Sequence, residues 1–170
     1  MFSHRNHAIK AYVALGSNLG DRAGNLLLAL RGMMEASLCI GRVSSIYETA
    51  PVSGVEQPSY LNMVVEVGNP LPAPEQVMAR MLRIEFALGR TREVKDGPRT
   101  IDLDLLVYGE VISDTEFLRL PHPCLHERRF VLEPLVEIAP RLVHPVMKKN
   151  VAELLEGVGD KRCVVRWEPR

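Results

Sequence analysis

A short run of apolar residues, 10–16, ends at the turn Gly16-Ser17-Asn18-Leu19-Gly20 and reads as a strand. The period then changes. Leu26, Leu27, Leu30, Met33 and Met34 recur at helical spacing on one face, behind Asp21, whose side chain suits an N-cap. Residues 42–49 predict a second strand, and a loop rich in Pro, Gly and Ser carries the chain to a third strand at 60–67. Pro74 suits the first position of a helix with Val77, Met81, Ile84 and Leu88 on one face and Gly89 as its stop. The polar, aperiodic stretch 89–98 predicts a loop, and Arg99 to Tyr108 predicts a strand. A short strand near Val111, an apolar segment 130–138, a short helix at 151–155 and a terminal strand at 163–167 complete the pattern.

Strands and helices alternate, but the hairpin-like pair 42–49 and 60–67 favours antiparallel pairing. The expectation is an α+β fold, a ferredoxin-like and mainly antiparallel sheet flanked by helices in three layers, α/β/α, rather than a doubly wound parallel sheet. A length of 170 residues suits one domain spanning 1–170, with 1–9 as a disordered arm. Hydrophobic content of 46% with 25% charged residues excludes a disordered or collagen-like chain. The 21 basic residues balance 21 acidic ones, which argues against a general nucleic-acid or anionic-membrane binder and leaves a small anionic ligand open. No apolar run approaches the ~20 residues of a membrane span. Residues 1–10 hold no secretory signal, and three cysteines without C-x-x-C spacing suit reduced thiols, so a cytoplasmic location is expected. Neither glycine fingerprint for phosphates is present.

The chemistry concentrates at Asp102 and Asp104. Strand alternation puts both carboxylates on one sheet face, ~6–7 Å apart along the chain. Two carboxylates aimed into one space repel and need protons or cations; Mg²⁺, which takes one or two carboxylates with substrate phosphates and waters, fits. The bland account is a solvent-facing polar row. Arg99 leads into the strand, and Arg90, Arg92 and Lys95 crowd the loop before it, a setting for polyphosphate. Arg119, His122, His126, Arg128 and Arg129 form a second cluster around the stiff Leu120-Pro121-His122-Pro123. Tyr60 and Asn62 share a strand face, and Phe130 follows the second cluster. A flat heterocycle stacked between the two rings and paired with Asn62 is one reading, and plain core packing is the other.

In order, Ala14-Leu15-Gly16-Ser17-Asn18-Leu19-Gly20-Asp21, Gln57-Pro58-Ser59-Tyr60-Leu61-Asn62, Arg83-Ile84-Glu85, Gly97-Pro98-Arg99-Thr100-Ile101-Asp102-Leu103-Asp104-Leu105, Leu120-Pro121-His122-Pro123 and Arg128-Arg129-Phe130-Val131-Leu132 resemble the hydroxymethyldihydropterin pyrophosphokinases of the folate pathway. The Gly-Pro-Arg-Thr-Ile-Asp-Leu-Asp run is the specific one. The resemblance implies a ferredoxin-like fold and transfer of pyrophosphate from ATP to the hydroxymethyl group of a reduced pterin, releasing AMP. It implies that Asp102 and Asp104 hold two Mg²⁺ ions. It assigns Arg90 and Arg99 to the phosphates; for the hydroxyl proton, Asp104 and a hydroxide on the metal are both open as acceptor. Glu85, Arg92, Lys95, Leu105, Arg119, His122 and Arg128 fall on the ATP side, and Thr49, Val52, Tyr60, Asn62 and Phe130 on the pterin side. The chain departs from the pattern at Glu93, Asp96 and Phe117, where relatives carry a lysine, a tryptophan and an arginine. Small-molecule substrates and a monomer are expected. The alternatives are a Mg-nucleotide-binding module and a different Asp-x-Asp transferase, which would release other products.

Overall fold

The computed structural model describes residues 9–51, 56–90 and 97–169. Among the described residues six strands, all paired antiparallel, form the main sheet. Its centre is β1 (Ala11–Ser17), between β5 (Asp102–Tyr108) and β4 (Tyr60–Val67). On the far side of β4 lie β2 (Ile40–Val43) and β3 (Tyr47–Thr49), and β8 (Val164–Arg166) pairs with β3. With α1 (Arg22–Glu35) after β1 and α2 (Pro74–Ala87) after β4, the chain runs β-α-β-β-α-β, and its sheet order β5-β1-β4-β3 is that of a ferredoxin-like fold.

Alternation on three adjacent strands makes two cores. Val13, Leu15, Met63, Val65, Leu103 and Leu105 face α1 and α2, whose Leu26, Met33, Val77 and Met81 complete that layer. Tyr12, Val64 and Leu106 face α3 (Arg129–Ile138) and α4 (Val151–Glu156), with Leu132, Leu135 and Leu154. The expected α/β/α layering follows. Each fully buried leucine or isoleucine contributes about 1.5–3 kcal/mol.

Several boundaries differ from the sequence expectation. The strand expected at 42–49 is broken, because Ser44 turns inward and its Oγ accepts the Val64 N–H at 2.9 Å, replacing a ladder bond. Leu27 and Met34 are exposed; the buried stripe of α1 runs through Leu26, Ala29 and Met33, displaced around the helix from the expected face. Asp21 does cap α1, accepting the Gly24 N–H at 2.9 Å. β5 starts at Asp102 rather than Arg99, since the Arg99 backbone is occupied by Asn18. The strand expected near Val111 lies at β6 (Ser113–Asp114), paired with β7 (Arg119–Leu120). The segment 130–138 is helical, Gly89 ends α2 with a φ of +77°, and all three cysteines are free.

Candidate active site

On the face that packs against α3, the apolar rows give way to polar ones toward the end of β1. Val64 is followed by Asn62 and Tyr60 on β4, and Leu106 by Asp104 and Asp102 on β5. Register places Gly16 between Asp102 and Asn62, and Ala14 between Asp104 and Val64. These two small residues leave the middle strand low, so the flanking side chains stand around a hollow of about 350 Å³. A methyl group on Gly16 would lie 3.1 Å from Asn62 Oδ1. The start of α3 roofs the hollow with Arg128, Phe130 and Val131.

The two aspartates differ sharply. Asp102 is gripped on both oxygens, Oδ1 by Arg90 Nη1 at 2.7 Å and Oδ2 by Arg99 Nη1 at 2.5 Å. Asp104 faces the cavity; burial and the neighbouring Asp102 carboxylate push its carboxyl up to about 7. His122, drawn to β5 by a 2.8 Å bond from its N–H to the Leu106 carbonyl, places Nε2 3.9 Å from Asp104 Oδ2. Its Nδ1 accepts the Cys124 N–H, and burial with Arg128 nearby lowers the imidazole to about 4, so the ring is neutral. Elsewhere on the same face Glu66 is also buried. Burial opposes its ionisation, yet bonds from Lys10, Arg42 and the Tyr12 hydroxyl hold it below the ordinary carboxylate range. A carboxyl kept protonated toward neutrality beside a second carboxylate is a seat for a cation. Two hard oxygen donor groups open to a cavity suit Mg²⁺. Among the described residues no group of three or more His, Cys, Asp or Glu side chains could enclose a metal, so phosphate oxygens or water would complete the coordination.

Thr49, Tyr60, Asn62 and Phe130 line the same cavity as Asp102, Asp104, Arg99 and Arg128. Thr49 Oγ1 accepts from Asn62 Nδ2 at 2.9 Å, which leaves Asn62 Oδ1 on the Gly16 side. Other expected residues stand apart. Leu105 is in the opposite core, because it is one residue out of phase with the aspartates. Glu85 lies behind the pocket, 3% exposed, bonded to Arg90 and accepting the Leu103 N–H at 2.7 Å. Arg119 is exposed on β7 and pairs with Asp114. Val52, Arg92 and Lys95 lie outside the described residues.

Sequence reasoning missed Ala14, Gly16 and Asn18. Buried Asn18 bonds through Nδ2 to Gln57 Oε1 and the Pro58 carbonyl, and through Oδ1 to the Arg99 N–H, joining the two sides of the cavity. The signal available was a side chain rich in donors and acceptors inside a glycine-flanked turn, with partners 39 to 81 residues away in the chain.

A paired acidic seat with guanidinium groups beside it, next to a flat pocket walled by Tyr60, Asn62 and Phe130, is the layout of a transferase that brings a polyphosphate to a heterocycle. A model of the 7,8-dihydro-6-hydroxymethylpterin-pyrophosphokinase family matches residues 12–140, and the chain belongs to that family. It is thus an ATP-dependent pyrophosphokinase of folate synthesis. It is 47% identical over 133 residues to the 2-amino-4-hydroxy-6-hydroxymethyldihydropteridine pyrophosphokinase of Bacillus subtilis, covering 78% of this chain and 79% of that one. It is 40% identical over 149 residues to the folic acid synthesis protein fol1 of Pneumocystis carinii, covering 88% of this chain and 20% of that longer protein. In fold it is similar to the Plasmodium falciparum HPPK-DHPS crystal structure with pteroate, at a TM-score of 0.69 and 15% identity, covering 88% of this chain and 44% of that one.

Proposed function

We propose that the hollow over Ala14 and Gly16 is where this chain moves pyrophosphate from ATP to the hydroxymethyl group of 6-hydroxymethyl-7,8-dihydropterin. One observation carries the reading: the acidic pair and the aromatic and amide groups line a single cavity. The pterin would lie against Tyr60 and Phe130, with its edge on Asn62, whose amide is oriented by Thr49. Asp102 and Asp104 would hold two Mg²⁺ ions, which supply positive charge to the triphosphate when bound.

The chain's own groups do the positioning. The hydroxymethyl oxygen attacks the β-phosphorus; the new O–P bond forms as the bond from that phosphorus to the α,β-bridging oxygen breaks, and AMP leaves. Arg90 and Arg99, already beside Asp102, offset charge on the transferred group and on the α-phosphate. Asp104 lines the cavity, so its carboxylate would be the protein's acceptor for the hydroxyl proton. Neutral His122 and Arg128 bound the same end and serve the nucleotide, with Arg92 and Lys95 as further phosphate contacts. We read the chain as one domain and a cytoplasmic monomer; among the described residues no helix is long and apolar enough to cross a membrane. Phosphorus NMR of a mixture of protein, Mg²⁺, ATP and the pterin tests the reading. AMP and a pterin diphosphate are expected in equal amounts. ADP, or AMP with free pyrophosphate, overturns it.

A further inference from the structure

Helix α3 begins without a cap of its own. Its N-cap residue is Arg128, whose side chain makes no capping hydrogen bond, although the first N–H groups of a helix need acceptors. The acceptor arrives from the C-terminal segment. Asp160 Oδ2 accepts the Arg129 N–H at 3.2 Å, and Arg129 Nε donates to the Asp160 backbone carbonyl at 3.0 Å. The same carboxylate grips Arg162. Its Oδ1 takes the Arg162 N–H at 3.1 Å and Nε at 2.7 Å, and its Oδ2 takes Nη2.

Held in this way, the Arg162 guanidinium carbon lies 5.6 Å from the centroid of the Phe130 ring, with Arg128 at 5.8 Å. Among the described residues Arg162 Nη1 is buried without a hydrogen-bond partner, on a guanidinium that Asp160 holds over the ring. Phe130 is the second residue of α3 and lines the cavity, so Asp160 fixes both the backbone that carries the ring and the cation against it. Asp160 and Arg162 lie beyond residues 12–140, the stretch the family model matches.

We propose that Asp160 and Arg162 are positioning residues that set the Phe130 ring for a flat heterocycle. The inference rests on the assignment of the cavity to the pterin. A ring already held loses less rotamer freedom when the ligand stacks on it, so the effect falls on the heterocycle and not on the nucleotide. Hydrogen bonds from Arg162 hold the Asp160 carboxyl down to about 2, so the latch stays ionised at any working pH.

Pterin and ATP affinities, measured separately by fluorescence titration on full chains carrying Arg162→Ala, Arg162→Lys, Asp160→Asn or Phe130→Ala, test the proposal. Arg162→Ala should weaken pterin binding about tenfold, with ATP affinity unchanged and a cooperative melting curve lowered by no more than a few degrees. Arg162→Lys should recover part of the loss, because the ammonium keeps a charge near the ring but lacks the fork that Asp160 holds. Asp160→Asn should resemble Arg162→Ala. Unchanged pterin affinity in Arg162→Ala, or equal losses for pterin and ATP, overturns the latch. Phe130→Ala separates the two claims: if that variant binds pterin normally, the cavity assignment fails, and if it loses pterin while Arg162→Ala does not, only the latch fails.

Discussion

Asp104 sits where a carboxylate resists ionisation, and that has a consequence for the chain without bound cations. Between the ordinary carboxylate range and about 7, the folded chain keeps a proton on Asp104 that the unfolded chain has released. Stability therefore falls as pH rises through that window. His122 works in the opposite direction. Its folded imidazole, at about 4, refuses a proton that the unfolded chain takes, so stability falls as pH drops from the ordinary histidine range. Asp104→Asn removes only the first effect. In the absence of Mg²⁺ it should melt above the unsubstituted protein at about pH 7.5, with the difference closing toward about pH 5. A difference that does not vary with pH contradicts the account of this carboxyl. At this scale the sequence was legible where strand period decides direction: Asp102 and Asp104 share a face, and the expectation that put Leu105 on the ATP side ran against that period. It was illegible for Glu85, because an acidic residue on a helix says nothing of the Arg90 guanidinium and Leu103 N–H that enclose it.

Strand β1 forms the cavity by what it lacks. Ala14 and Gly16 lie under the cavity between strands that carry Asp102, Asp104, Asn62 and Tyr60, so the functional side chains are supported by β4 and β5 and spaced by β1. Gly16→Ala places a methyl group 3.1 Å from Asn62 Oδ1, so the Asn62 amide must give by a few tenths of an ångström. We expect pterin affinity to fall roughly tenfold while urea stability changes by no more than about 1 kcal/mol. An unchanged pterin titration would show that Asn62 orientation does not matter. The hydrophobic pattern located β1, β4, β5, α1, α2 and α4, and it marked 130–138 as apolar without showing that the segment is a helix. The pattern failed at residues 42–49, where Ser44 substitutes its hydroxyl for a ladder partner, and it could not show that α3 takes its cap from Asp160. Both are polar contacts between distant parts of the chain, which leave no period.

At the scale of the molecule, two apolar layers hold one sheet, and the polar site occupies the end of the face where the second layer runs out. The balanced total of 21 basic and 21 acidic residues hides an uneven distribution. Arg90, Arg99 and Arg128 cluster about the aspartate pair, while Lys10 and Arg42 both pair with the single carboxylate of Glu66 elsewhere on that face. The chain order of the motifs was enough to expect the ferredoxin-like arrangement, because β-α-β-β-α-β with antiparallel neighbours admits few sheet orders. The joining of the two substrate sides through Asn18 required the folded chain. The most direct measurement is the rate of AMP formation by Asp102→Ala at saturating Mg²⁺, ATP and pterin, beside its melting curve. A folded variant slowed by roughly 100- to 1,000-fold or more is the predicted result. A folded variant that forms AMP at nearly the unsubstituted rate would contradict the placement of the reaction at this acidic pair.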